Sequence, residues 1–189
     1  MAEWQIARSE LIVGGQKSGK SVRAEMLART WLQTDPRHQA IMLATAQAWD
    51  NEMQARIARH QLERAQRVPG MRTVEEPRDV AHVLHTLSDA RTLIVVDCLT
   101  LWLTNWLMPA PHAHAPQDPP IDALCASLAQ APGPVVLVSN EIGLGVIPMG
   151  REVRSFVDAL GMLNQRVAQT CARVTFMAAG LPMTLKETP

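Results

Sequence analysis

The sequence predicts a three-layer α/β domain built on a mostly parallel sheet. Five short apolar runs carry no polar alternation, and helix-patterned stretches lie between and beyond them. A glycine-rich turn joins the first run to the first helix. Unbroken runs suit strands covered on both faces. Strand and helix in alternation build a parallel sheet between helices, with ligands at the carboxyl ends of the strands.

The first run opens "LIVGGQKSGKSVRAEMLART", residues 11–30, and a helix follows from Lys20 to Leu32. Between them, Gly14-Gly15-Gln16-Lys17-Ser18-Gly19-Lys20-Ser21 fits G-x-x-x-x-G-K-[ST]. Glycines let the backbone turn sharply and come within hydrogen-bond reach of phosphate oxygens. The N–H groups from Gly15 to Ser21 then face inward at the positive end of the helix. Lys20 is expected to reach the β- and γ-phosphates, and the Ser21 hydroxyl to bind Mg²⁺.

The second strand is read over Ala40–Thr45 and the next helix over Asn51–Arg67. In "DNEMQARIARHQLER", residues 50–64, Asp50 is a plausible N-cap, and Met53, Ile57 and His60 recur at helical spacing. Spacing alone reads His60 as a partly buried, satisfied histidine in preference to a catalytic one. Arg56, Arg59 and Arg64 face either phosphate or water.

A helix over Arg78–Leu87 leads to the strand Thr92–Asp97, "TLIVVD". The usual partner of a phosphate loop is an acidic residue at the end of a buried strand, holding Mg²⁺ directly or through water. Asp97 has that type and position; capping the next helix, Leu99–Leu107, is its plainer role. Met108–Pro120, "MPAPHAHAPQDPP", holds five prolines and reads as a mobile surface loop. His112 and His114 in that loop lack a third ligand, which favours solvation over metal binding.

The helix Ile121–Gln130, the strand Pro134–Ser139, the helix Arg151–Ala172 and the strand Val174–Ala178 complete the series. "SNEIGLGVIP", residues 139–148, puts Asn140 and Glu141 at the sheet's carboxyl edge, as site residues or as a polar turn.

Composition narrows the function. The 189 residues suffice for one sizeable core, so the whole chain is read as a single domain. Eighteen basic residues balance eighteen acidic ones, which argues against a nucleic-acid binder. No apolar run approaches the roughly 20 residues of a membrane span, and MAEWQIARSE is no signal peptide. Cys98, Cys125 and Cys171 lie far apart, as reduced thiols of a cytoplasmic protein do.

Taken in order, "VGGQKSGKS", "ATAQAWDNEMQARIARH", "RTVEEP", "VVDCLTLWLTN", "VSNEIGLGVIP" and "FVDALGMLNQ" resemble the bifunctional adenosylcobinamide kinase / adenosylcobinamide-phosphate guanylyltransferase family. The resemblance covers all but the tail and the proline-rich loop. It implies a RecA-like P-loop fold, a homotrimer, and two reactions. A nucleoside triphosphate (ATP or GTP) phosphorylates the aminopropanol arm of adenosylcobinamide. GMP from GTP then joins that phosphate, releasing pyrophosphate.

In this family the guanylyl group travels on a histidine, and the resemblance makes His60 that nucleophile. It also implies that Ala44, Thr45, Ala46, Gln61, Leu62, Glu63, Arg64, Glu75 and Asp97 line the guanine nucleotide site. Glu75 is expected to pair with guanine's N1–H and amino group. There are departures: Ala46 stands where the family commonly has serine, Met71 where tryptophan is common, and Met149-Gly150 where Glu-Asn is frequent. A P-loop kinase for another small metabolite would have no use for a nucleophilic His60. A GTPase-type switch would generally carry an N-K-x-D stretch, which is absent here.

Overall fold

The apolar runs become strands in the expected order, and two less apolar segments join them. The computed structural model describes residues 4–48, 51–109, 115 and 117–188, with Arg56 described by its backbone alone. The first half comprises β1 (Ser9–Gly14), α1 (Lys20–Thr34), β2 (Gln39–Ala44), α2 (Asn51–Arg67), β3 (Arg72–Glu75) and α3 (Val80–Leu87). The second comprises β4 (Thr92–Asp97), α4 (Leu99–Leu107), α5 (Ile121–Gln130), β5 (Val135–Asn140), α6 (Arg151–Thr170), β6 (Arg173–Ala178) and β7 (Leu181–Glu187). Asp50, the expected N-cap of α2, lies outside the described residues. So do 110–114 and 116 of the proline-rich segment, including His112 and His114.

One seven-stranded sheet runs in the order β3-β2-β4-β5-β1-β6-β7. Every pairing is parallel except the last, where β7 lies antiparallel to β6. Successive side chains of a strand enter opposite faces, and both faces are covered. Leu11, Val13, Ile94, Val96, Val135 and Leu137 pack under α3, α4, α5 and α6. Ile12, Met42, Leu93, Val95, Val136 and Val138 pack against Ala24, Leu27 and Ala28 of α1. Neither face of the central strands meets water, which is why their sequences do not alternate. The three-layer, mostly parallel architecture is the one the sequence predicts.

Two strands stand outside the five apolar runs. In β3, "RTVE", only Val74 is even partly buried, so there is no run to notice. In β7 the residues are largely exposed, and Pro182 argues against a strand. It is tolerated because β7 is an edge strand paired on one side only. Ala179 and Gly180 join β6 to β7 with φ of 51° and 80°, the handedness of a two-residue hairpin turn.

The chain reaches β2 from β1 by passing over β5 and β4, so β5 separates the phosphate loop from the strand ending in Asp97. Gly14 stands opposite Asn140, and Asp97 opposite Val138. The glycine loop, Asn140 and Asp97 thus share the carboxyl edge of three adjacent strands.

Candidate active site

The site begins where β1 ends. Gly14 packs so tightly that a Cβ there would meet the Met177 carbonyl oxygen and the Ser18 hydroxyl. Lys17 and Gly19 both have positive φ, 56° and 100°, while Ser18 between them does not. That alternation of hand gathers successive N–H groups into an anion-binding concavity. The Gly180 N–H donates to the Ser18 carbonyl at 3.0 Å, bracing the loop against the β6–β7 turn. Ser18 Oγ is buried without a hydrogen-bond partner among the described residues, an unmet polar group that a phosphate oxygen would satisfy.

Lys20 is buried at the start of α1, and its Nζ donates to the Gly15 carbonyl at 2.6 Å. Burial lowers its pKa from the ordinary lysine value, against the opposing charges of Cys98 and Asp97. Asp97 supplies the opposition at neutral pH, because the Cys98 thiol is itself pushed up to about 11 by burial. Burial likewise raises the Asp97 pKa, while Arg64, His60, the Ser21 hydrogen bond and Lys20 pull it back. A polyanion and a cation would relieve these strained ionisations together.

Ser21 Oγ donates to Asp97 Oδ2 at 3.4 Å. Two hard oxygen donors side by side fit Mg²⁺. Among the described residues no group of three or more His, Cys, Asp or Glu could hold a metal. An ion here would therefore complete its shell from phosphate and water, as Mg²⁺ usually does.

A second part of the site opens between α2 and the ends of β2 and β3. This cleft of about 590 Å³ is lined by Ala46, Gln47, Gln54, Ile57, Gln61 and Glu75, among others. Gln61 Nε2 donates to Glu75 Oε1 at 3.4 Å. Arg64 is buried, donates to Thr73 Oγ1 at 3.2 Å, and exerts the leading charge effect on Asp97. Ile57, His60, Gln61 and Arg64 follow i, i+3, i+4, i+7 and share one helix face.

His60 is exposed, which corrects the reading from spacing alone. Met53 and Ile57 on the same stripe are themselves only half-buried, so this side of α2 borders a cleft rather than a sealed core. His60 makes no hydrogen bond to a described residue, and its charge helps to pull the Asp97 pKa back down.

The structure brings together Gly14–Ser21, Asp97, Arg64 and His60 on one side, and Ala46, Gln61 and Glu75 on the other. Ala44 ends β2 and is half-buried. Thr45 lies behind the surface: its hydroxyl donates to the Cys98 carbonyl at 2.8 Å and accepts the Cys98 N–H at 2.9 Å. Asn105 also donates to the Thr45 carbonyl, at 2.8 Å. Thr45 therefore positions Ala46 and Asp97. Leu62 is exposed and lines neither part, and Glu63 pairs with Arg67 at 3.0 Å.

Sequence reasoning missed Gln47, Gln54 and Ile57 as cleft residues. The 54–57–61 spacing on one helical face was the available signal.

The glycine loop on a parallel sheet, its buried lysine and the Ser21–Asp97 pair define a P-loop nucleotide-binding enzyme of the RecA-like class. The crystal structure of flagellar accessory protein FlaH from Methanocaldococcus jannaschii shares the fold, with a TM-score of 0.52 at 15% identity over 97% of this chain and 80% of that one. A family model described as cobinamide kinase / cobinamide phosphate guanyltransferase matches residues 10–185. The chain belongs to that family.

It is similar to the bifunctional adenosylcobalamin biosynthesis protein CobP of Pseudomonas aeruginosa, 47% identical over 95% of this chain and 98% of that protein. It is also similar to the CobU proteins of Escherichia coli and Salmonella typhimurium, at 31% and 32% identity over 93% of this chain. The activity is bifunctional: a cobinamide kinase and a cobinamide phosphate guanylyltransferase.

Proposed function

We propose that both transfers use the one phosphate loop, and that His60 carries GMP between GTP and the acceptor phosphate. In the kinase step the aminopropanol hydroxyl of adenosylcobinamide attacks the γ-phosphorus of a nucleoside triphosphate, ATP or GTP. The new O–P bond forms as the bridging bond to the β-phosphate breaks, the diphosphate leaves, and the hydroxyl proton passes to solvent. Lys20 and the loop N–H groups stabilise the charge gathering on the phosphate oxygens. Ser21 and Asp97 would hold Mg²⁺, which supplies further charge neutralisation when bound.

In the guanylyl step the His60 imidazole attacks the α-phosphorus of GTP. An N–P bond forms, the bond to the bridging oxygen breaks, and pyrophosphate leaves. The phosphate of adenosylcobinamide-phosphate then attacks the same phosphorus, the N–P bond breaks, and adenosylcobinamide-GDP departs from free His60. Glu75 and Gln61 read guanine in the cleft: a carboxylate accepts from N1–H and the 2-amino group together, which adenine cannot offer. Ala46 forms part of the cleft wall, Ala44 and Thr45 hold it from behind, and Arg64 lies beside the phosphates.

The observation carrying this reading is His60 itself, exposed on the α2 face shared with Gln61 and Arg64 and electrostatically coupled to Asp97. The working protein is a single domain, a homotrimer, and cytoplasmic. Among the described residues, no helix is long and apolar enough to cross a membrane.

GTP labelled at the α-phosphate tests the carrier. Wild-type protein should acquire label that is lost in acid and kept in alkali, and a His60→Ala variant should acquire none. Label persisting in the variant would assign the chemistry to another nucleophile. Glu75→Gln should lower the preference for GTP over ATP in this labelling by about tenfold, the loss of one charged hydrogen bond. Unchanged discrimination would remove Glu75 from the base site.

A further inference from the structure

The phosphate loop has a second hollow on its other side. Trp4, Gly19, Val22, Arg23, Met177 and Pro182 line a cavity of about 250 Å³, with Gly180 closing it. Gly19 belongs to the phosphate loop, and Val22 and Arg23 follow Ser21 directly on α1. The slot therefore adjoins the place where a triphosphate's phosphates sit.

Its walls differ in kind from the cleft under α2. Among the described residues, no carboxylate or side-chain amide lines it. The Arg23 guanidinium is engaged already, its Nε donating to the buried carboxylate of Glu10 at 2.9 Å. It also lies over the Trp4 ring, 5.6 Å from the centroid. Glu10 is fixed in turn by the Thr175 hydroxyl at 2.8 Å, so Trp4 rests on a braced cation. Trp4 and Val22 nevertheless remain 39% and 45% exposed. An indole, a thioether and a proline ring around a narrow opening suit the faces of a flat aromatic molecule.

We propose that this slot holds the purine base of the nucleoside triphosphate used in the kinase step, while the cleft with Glu75 holds guanine in the guanylyl step. The proposal rests on the two-step reading above and assigns each step its own base site around one shared phosphate loop. The slot grips a base by stacking, and the cleft reads its edge. The division also suits the chemistry: the γ-phosphorus must meet the acceptor in one step, and the α-phosphorus must meet His60 in the other. Two base positions let the one loop present the γ-phosphorus to the acceptor in one step and the α-phosphorus to His60 in the other.

Calorimetric titration with ADP and, separately, with inorganic tripolyphosphate tests it, using Trp4→Ala to remove the stacking surface and Val22→Glu to fill the opening. Both residues are partly exposed, and neither substitution cuts into the core. The dissociation constant for ADP should rise at least about fivefold in each variant, the scale of one lost stacking contact. That for tripolyphosphate should stay within about twofold, since phosphate contacts are untouched. Labelling of His60 by GTP should be unchanged.

ADP affinity unaltered in both variants overturns the slot. Equal weakening of ADP and tripolyphosphate also overturns it, because the loop rather than a base contact would be damaged. Weakening of ADP by Glu75→Gln, with the slot variants silent, would put both bases in one cleft. A wild type that takes no label from GTP counts against His60 and leaves the ADP result to judge the slot.

Discussion

Asp97 shows the conflict between stability and function at a single residue. Burial raises its pKa above the ordinary 3.8, so the folded chain binds that proton more readily than the unfolded chain. Stability therefore falls as pH rises from 3.8 toward the folded-state value, and the penalty persists above it. Asp97→Asn should melt higher than wild type at pH 7, by about 2–4 °C per kcal/mol relieved for a chain of this size. The gap should close as pH falls to 3.8 and below. The same variant should lose about 100-fold or more in kinase turnover. A lower melting point at pH 7 would mean that the attractions of Arg64, His60 and Lys20 outweigh desolvation. Lys20 carries a burial penalty of the opposite charge, so the two central side chains of the site both cost stability before substrate arrives.

Among the elements, α2 is unusual in the way it is held. From Asn51 to Glu63 its described side chains are exposed or half-buried, and the first buried positions are Arg64 and, just past its end, Val68. The anchor is electrostatic: Arg67 Nε pairs with Glu25 Oε2 at 2.9 Å, and Glu25, on α1, is only 3% exposed. Burial raises the Glu25 pKa, with Arg67 and then Arg64 opposing. Arg67→Ala leaves that carboxylate facing the core with its main partner gone. It should destabilise the protein to urea by about 3 kcal/mol at pH 7. Adding Glu25→Gln should restore most of the loss. A double variant no more stable than the single one would refute the anchor.

At the scale of the molecule, the apolar stretch after β5 is left uncovered by the described residues. Leu144, Val146, Ile147 and Met149 stand 77% or more exposed, beside a strand edge where the Glu141 N–H donates to the Gly14 carbonyl at 3.0 Å. Contiguous apolar surface of this kind marks contact sites. Sedimentation equilibrium should return three times the 20.8 kDa chain mass. A monomer at micromolar concentration would remove the homotrimer.

The sequence by itself determined the layers and the loop. Runs such as "TLIVVD" are apolar at every step because helices cover both faces of the central strands, and that pressure acts on each residue locally. The G-x-x-x-x-G-K-[ST] spacing is equally local, since one turn of backbone makes the phosphate cradle. Tertiary structure alone decided which distant residues meet. Strand order, set by a crossover above β4 and β5, put Asp97 beside Ser21. Edge position made strands of "RTVE" and the proline-containing β7, where only one side needs a partner. The inner side of α2 became a cleft instead of a core because, among the described residues, the helix's buried positions lie in and just past its last turn. That is why His60, which its spacing reads as partly buried, stands open to solvent.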